Sequence, residues 1–70
     1  MKAITTAEAG AIMGKGSQYV RVAMQQGILK IGECCKMSSQ WTYSISPALL
    51  AARQGLTMEQ LNAELERLRA

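Results

Sequence analysis

Hydrophobic and polar positions follow a helical period from residue 5 to residue 27, switch to alternation from residue 30, and return to a helical period after residue 46. Thr5-Thr6-Ala7-Glu8 opens the first helix as a capping box: the Thr5 hydroxyl accepts from the backbone N–H of Glu8 while the Glu8 carboxylate reaches back. Gly14 ends it, because a residue without Cβ suits a left-handed C-terminal position. Ala9, Ile12 and Met13 form the expected inward face. Gly10, in mid-helix, costs about 0.5–1 kcal/mol relative to alanine unless another part of the chain packs closely there. After the turn Gly14-Lys15-Gly16, Ser17 is the expected cap of a second helix running to Gly27. Steps of about 100° per residue put Val20, Ala23 and Met24 on one side and Gln18, Arg21, Val22 and Gln25 on the other. Ile28 and Leu29 then form a short apolar return to the core.

In the run Trp41-Thr42-Tyr43-Ser44-Ile45, apolar and hydroxyl residues alternate with the period of a half-buried strand, which assigns Trp41, Tyr43 and Ile45 to the core. With the segment from Lys30 and a turn at Ser38-Ser39-Gln40, it predicts a β-hairpin with a polar tip and Lys36 beside it. Ser46-Pro47 then starts a short third helix, since serine caps and proline suits the first helical position, and Gly55 stops it. Leu56-Thr57-Met58-Glu59-Gln60-Leu61 carries a capping box between Thr57 and Gln60 and a hydrophobic staple between Leu56 and Leu61, which starts a fourth helix. The predicted fold is mainly α with one β-hairpin.

Composition narrows the function. A chain of 70 residues buries only about 60% of its extended surface, so little is left for a deep substrate pocket. With no histidine there is no Ser-His or Cys-His pair and no imidazole metal ligand, so an enzyme is not expected and neither is a cofactor. Cys34 and Cys35 are adjacent; a bridge between them would be strained, and they read as two reduced thiols. No apolar run approaches the ~20 residues that span a bilayer, and the start has no signal-peptide core, so no membrane association and a cytosolic location in a bacterial host are expected. The formal charge of +3 is carried by residues 1–46, whereas residues 47–70 are neutral. An anionic partner would meet the N-terminal two thirds.

Helix, tight turn, helix and hairpin is the order of a winged helix-turn-helix. Moreover, Ile4-Thr5-Thr6-Ala7-Glu8-Ala9, then Gly14, Ser17, Val20-Arg21, Gly27 and Ile28-Leu29, resembles the N-terminal pattern of MerR-like and excisionase-like DNA-binding proteins. There a Thr-x-x-Glu-Ala-Ala helix is followed by a glycine, a capping serine, a Val-Arg pair and an exit glycine. Trp41-Thr42-Tyr43-Ser44-Ile45 resembles the second wing strand of the small versions carried by phages and mobile elements. Gly10 and Gly16 stand where that pattern has an alanine and an apolar residue, which predicts a looser turn. The resemblance implies a winged helix-turn-helix over residues 1–46, with a recognition helix at about 18–26 and a wing at about 30–46, followed by two short C-terminal helices over 47–70. It also implies double-stranded DNA as the partner. Gln18, Arg21, Val22 and Gln25 would then face base edges or phosphates, with Tyr19 at the edge of that face, and Lys15, Lys36, Ser38, Ser39 and Gln40 would contact the backbone.

In the last helix Met58, Leu61, Leu65 and Leu68 form a narrow apolar stripe on a segment too short to be stable alone. Either it folds back, as expected for Leu61 and Leu65, or it pairs with a second copy, for which Met58 and Leu68 are the candidates. Two copies on adjacent half-sites, or a cooperative array on DNA, would supply contacts that one weakly charged domain lacks. The function expected is a sequence-specific DNA binder of phage or mobile-element type, a transcriptional regulator or an excisionase-like architectural factor. The alternative is a protein-interaction module on the same scaffold that binds a host or virion protein as an inhibitor or assembly adaptor.

Overall fold

Apart from the Ser17 cap, the predicted helix starts and stops have counterparts in the computed structural model, which describes residues 3–70; Lys2, which contributes to the charge of residues 1–46, lies outside them. The order is α1 (Thr6–Met13), α2 (Ser17–Gln25), β1 (Gly32–Met37), β2 (Gln40–Ile45), α3 (Pro47–Gln54) and α4 (Met58–Arg69). The chain is thus mainly helical, with four helices and one two-stranded antiparallel sheet. Thr5 and Thr57 both form complete capping boxes, with Glu8 and Gln60, and the Ser46 hydroxyl accepts from the Leu49 N–H at 3.3 Å. Gly14, at φ 73°, closes α1: the Lys15 N–H donates to the Gly10 carbonyl at 2.7 Å and the Gly14 N–H to that of Ala11 at 3.3 Å. The same paired hydrogen bonds close α2 at Gly27 and α3 at Gly55.

The expected cap of α2 is different. Gly16 occupies the N-cap position and no side chain bonds the first turn, while Ser17 is already helical. An extended backbone at Gly16 (φ −79°, ψ 160°) carries the entry, so the hydroxyl is not needed there. The turn is also tighter than the two glycine departures predict. A Cβ placed on Gly10 would stand 2.6 Å from the Lys15 carbonyl oxygen and 3.1 Å from the Gly16 carbonyl carbon. These are backbone atoms, which cannot swing aside as a side chain would. Gly10 is therefore the seat on which the turn rests, and it fixes how closely α2 follows α1.

α1 touches α2, α4 and β2, and α2 touches β1, so the core gathers around the first helix. Val20, Leu50 and Leu61 are fully buried, joined by Ala9, Ala23, Met24, Ile45, Ala51 and Leu65. Ile12 and Met13 are half-buried against this cluster, as is Leu56 before α4. The apolar return after α2 falls on Leu29 and Ile31, 2% and 0% exposed; Ile28 instead remains 67% exposed. The Schellman-type exit at Gly27 turns Ile28 outward and brings the next residue in. Gly32 pairs with Ile45, and a Cβ on it would overlap the Ser44 carbonyl oxygen, so the base of the hairpin can close only around glycine. The connection between strands is the two-residue turn Ser38-Ser39, with Gln40 already in β2.

α4 lies back on the domain through Leu61 and Leu65, which are buried within the chain and so are not available to a second copy; Met58 and Leu68 stay exposed. Its far end is held by an ion pair that the sequence pattern does not reveal. The Arg69 guanidinium donates to the Glu8 carboxylate at 2.6 and 3.0 Å and to the Ala3 carbonyl at 3.2 Å. The two charged side chains are 27% and 18% exposed. Hydrogen bonds from Arg69 and then from the Thr5 backbone lower the Glu8 carboxyl from an ordinary 4.5 to about 2.

Two outcomes follow for stability. Gly10→Ala, a helix-favouring change by propensity alone, is expected to destabilise the domain by about 1–3 kcal/mol because the added methyl meets backbone, as measured by urea unfolding. The contribution of Glu8 is fully present above about pH 4.5 and is lost as pH falls toward about 2, since its carboxyl is depressed only in the folded state. Glu8→Gln should therefore flatten the acid limb of the stability curve over that interval; an unchanged slope would place the acid sensitivity elsewhere.

Candidate functional site

The buried positions of α2 fix what its other sides present. With Val20, Ala23 and Met24 in the core, Gln18, Val22 and Gln25 point farthest out, Arg21 falls on one flank, and Tyr19 and Gln26 fall on the other. The two flanks differ in chemistry. On the first, half-buried Arg21 donates to the Thr6 hydroxyl at 3.3 Å and to the Gln18 side-chain carbonyl at 3.2 Å. The Gln25 amide donates to the Tyr43 hydroxyl at 2.5 Å, which ties α2 to the hairpin.

The hairpin register determines what lies beyond that tie. Gly32 pairs with Ile45, Cys34 with Tyr43 and Lys36 with Trp41, and alternate residues share a face. The first two pairs close on the core, with Cys34 and Tyr43 packed against it. The third extends past it, leaving Lys36 exposed and Trp41 39% exposed. Trp41 is thus not a core residue, in contrast to the expectation from alternation: the domain is too small for its core to reach the third pair of the hairpin. Gln40 lies on the opposite face, with Met37, Thr42 and Cys35, and Ser38 and Ser39 form the tip. Cys35 is exposed and its sulfur lies 3.4 Å from the Thr42 hydroxyl; both cysteines are free thiols.

The second flank of α2 is apolar. Tyr19, Val22 and Ile28 are 43%, 37% and 67% exposed and, with Gln18, Ala23 and Gln26, line an open depression. The Lys15 ammonium stands 5.2 Å from the centre of the Tyr19 ring, a cation–π contact at the rim.

The candidate residues therefore divide into groups. Arg21 bonds Gln18, and Gln25 bonds Tyr43 on the hairpin face that also carries Lys36, whereas Tyr19 and Val22, with Gln18, line the apolar depression and Lys15 stands over Tyr19. Ser38, Ser39 and Gln40 are separate from both. Thr6, the Tyr43 hydroxyl and Trp41 are additional members of the polar surface. Counting outward from the Ser38-Ser39 turn places Trp41 opposite Lys36, a signal present in the sequence; the Thr6 contact depends on the helix crossing and has none. α2 carries no carboxylate, and Glu33 is at a register position on the hairpin face opposite to that of Lys36. Among the described residues no three His, Cys, Asp or Glu side chains gather where a metal could be held, and no helix is long and apolar enough to cross a membrane.

Tyr43→Phe is expected to cost at most about 1 kcal/mol, the worth of an exposed hydrogen bond, while releasing the Gln25 amide. NMR would read the release as a shift of the Gln25 side-chain amide resonances with the core signals unmoved.

Comparison with protein families, with curated proteins and with solved structures finds no match for this chain.

Proposed function

We propose that the chain is a sequence-specific double-stranded DNA-binding protein of winged helix-turn-helix type, with α2 as the recognition helix and the β1–β2 hairpin as the wing. The observation that carries this reading is the carboxylate-free outer face of α2, joined through Gln25 and Tyr43 to the hairpin face that bears Lys36 and Trp41. The major groove, about 12 Å wide, admits a helix, and Gln18, Gln25 and Val22 are the side chains placed to meet base edges. Arg21 exchanges its two long hydrogen bonds, to Thr6 and Gln18, for a guanine edge or a phosphate. Lys36 and Trp41 then lie along the adjoining backbone or minor groove, with Lys15 as a further phosphate contact. A charge of +3 gives weak binding for one domain, so two or more copies act on neighbouring sites. Met58 and Leu68 are the apolar side chains α4 leaves for such contacts.

In a cell this describes a cytosolic regulator of transcription, or an excisionase-like factor that shapes DNA, of the kind phages and mobile elements encode. A protein-interaction module is the second reading, favoured by the apolar depression at Tyr19, Val22 and Ile28.

Fluorescence anisotropy against a random-sequence duplex pool, at two salt concentrations and with sequencing of the retained DNA, tests the proposal. Enrichment of a short motif, affinity that falls steeply with salt, and a change in Trp41 emission on binding are expected. Arg21→Ala should weaken binding by roughly 1–3 kcal/mol, about 5- to 150-fold, if its contact is bidentate to a base. Absence of binding at low salt would overturn the DNA reading and favour the protein partner.

A further inference from the structure

Resting on the DNA-binding reading, we infer that the depression lined by Gln18, Tyr19, Val22, Ala23, Gln26 and Ile28 is a thymine-methyl site, so that the apolar flank of α2 selects A·T base pairs. In the major groove, thymine is the one base that offers a methyl group, at C5, where cytosine carries only a hydrogen; the other edge groups are hydrogen-bond donors and acceptors. The depression has the matching composition. Val22, Ala23 and Ile28 supply aliphatic lining and Tyr19 an aromatic ring, and Gln18 and Gln26 contribute side chains that end in amides. An amide can pair with the N6 and N7 groups of the adenine that accompanies each thymine.

Charge favours the same occupant. α2 holds no carboxylate, and the cation at the rim is Lys15, seated over Tyr19. A largely apolar lining with a cation over its tyrosine suits a polyanion that presents a methyl group. Ile28 belongs to this site although it lies beyond the helix, because the exit at Gly27 turns it outward beside Val22 and Gln26. The polar flank with Arg21 and Gln25 would then read a neighbouring base pair, and the two flanks together give α2 a mixed preference.

The test uses the selected duplex prepared twice, once with thymine and once with uracil, which lacks only the C5 methyl. Burial of one methyl corresponds to about a fourfold gain in affinity, so the uracil duplex should bind about fourfold more weakly for each methyl seated. Val22→Ala should bind the two duplexes with nearly equal affinity, whereas Arg21→Ala should keep the preference for thymine while binding both more weakly. Equal binding of the two duplexes by the unaltered protein, or a selected motif without A·T pairs, would overturn the methyl site and leave the DNA-binding reading standing; the exposed flank would then be a surface for a protein partner. Failure to bind any duplex would overturn the DNA-binding reading itself.

Discussion

The absence of one methyl group at Gly10 sets the geometry on which the rest of the domain depends. The carbonyl of Lys15 occupies the space a side chain would need, and the Lys15 N–H returns a hydrogen bond to Gly10 from the same turn. α2 is therefore held to α1 by backbone against backbone, a contact with little freedom to slide. This places Val20, Ala23 and Met24 in the core, and with them the direction in which every outward side chain of α2 points. A helix packed through longer side chains could rotate by a fraction of a turn; this one cannot without meeting the turn.

A second close approach acts in the same way at the hairpin. Gly32 lets β1 and β2 converge at their base, so Ile31 and Ile45 enter the core while the Lys36–Trp41 pair is carried beyond it. Tyr43 lies between these regions, with its ring against the core and its hydroxyl on Gln25. The polar surface is thus assembled from a helix flank and a strand face whose relative positions are each fixed by a glycine.

Local signals made most of the fold legible. The capping boxes at Thr5 and Thr57, the serine and proline before α3, and the glycines after α1, α2 and α3 are chemical statements about a few consecutive residues, and the chain follows them. What was not legible depends on distance. The pairing of Arg69 with Glu8 joins residues 61 positions apart, and no periodicity encodes it. Alternation in β2 marks a face but not where the core ends along that face, so by itself it places Trp41 inside. Ser17 has the chemistry of a cap but lies one position too far along the chain. For the candidate site, the outer residues of α2 could be named from helical spacing, whereas their division into a polar and an apolar flank required the positions of Thr6, Tyr43 and Ile28.

The Glu8–Arg69 pair also governs how the domain bears mechanical load. It bridges the first turn of α1 and the last turn of α4, close to both ends of the described chain, and Arg69 reaches the Ala3 carbonyl as well. Tension applied through the two ends therefore loads this clasp before it reaches Leu61 and Leu65, and α4 peels from its C-terminal turn inward. The α1–α2 turn and the hairpin lie beyond that clasp, sheltered from the first stage of extension.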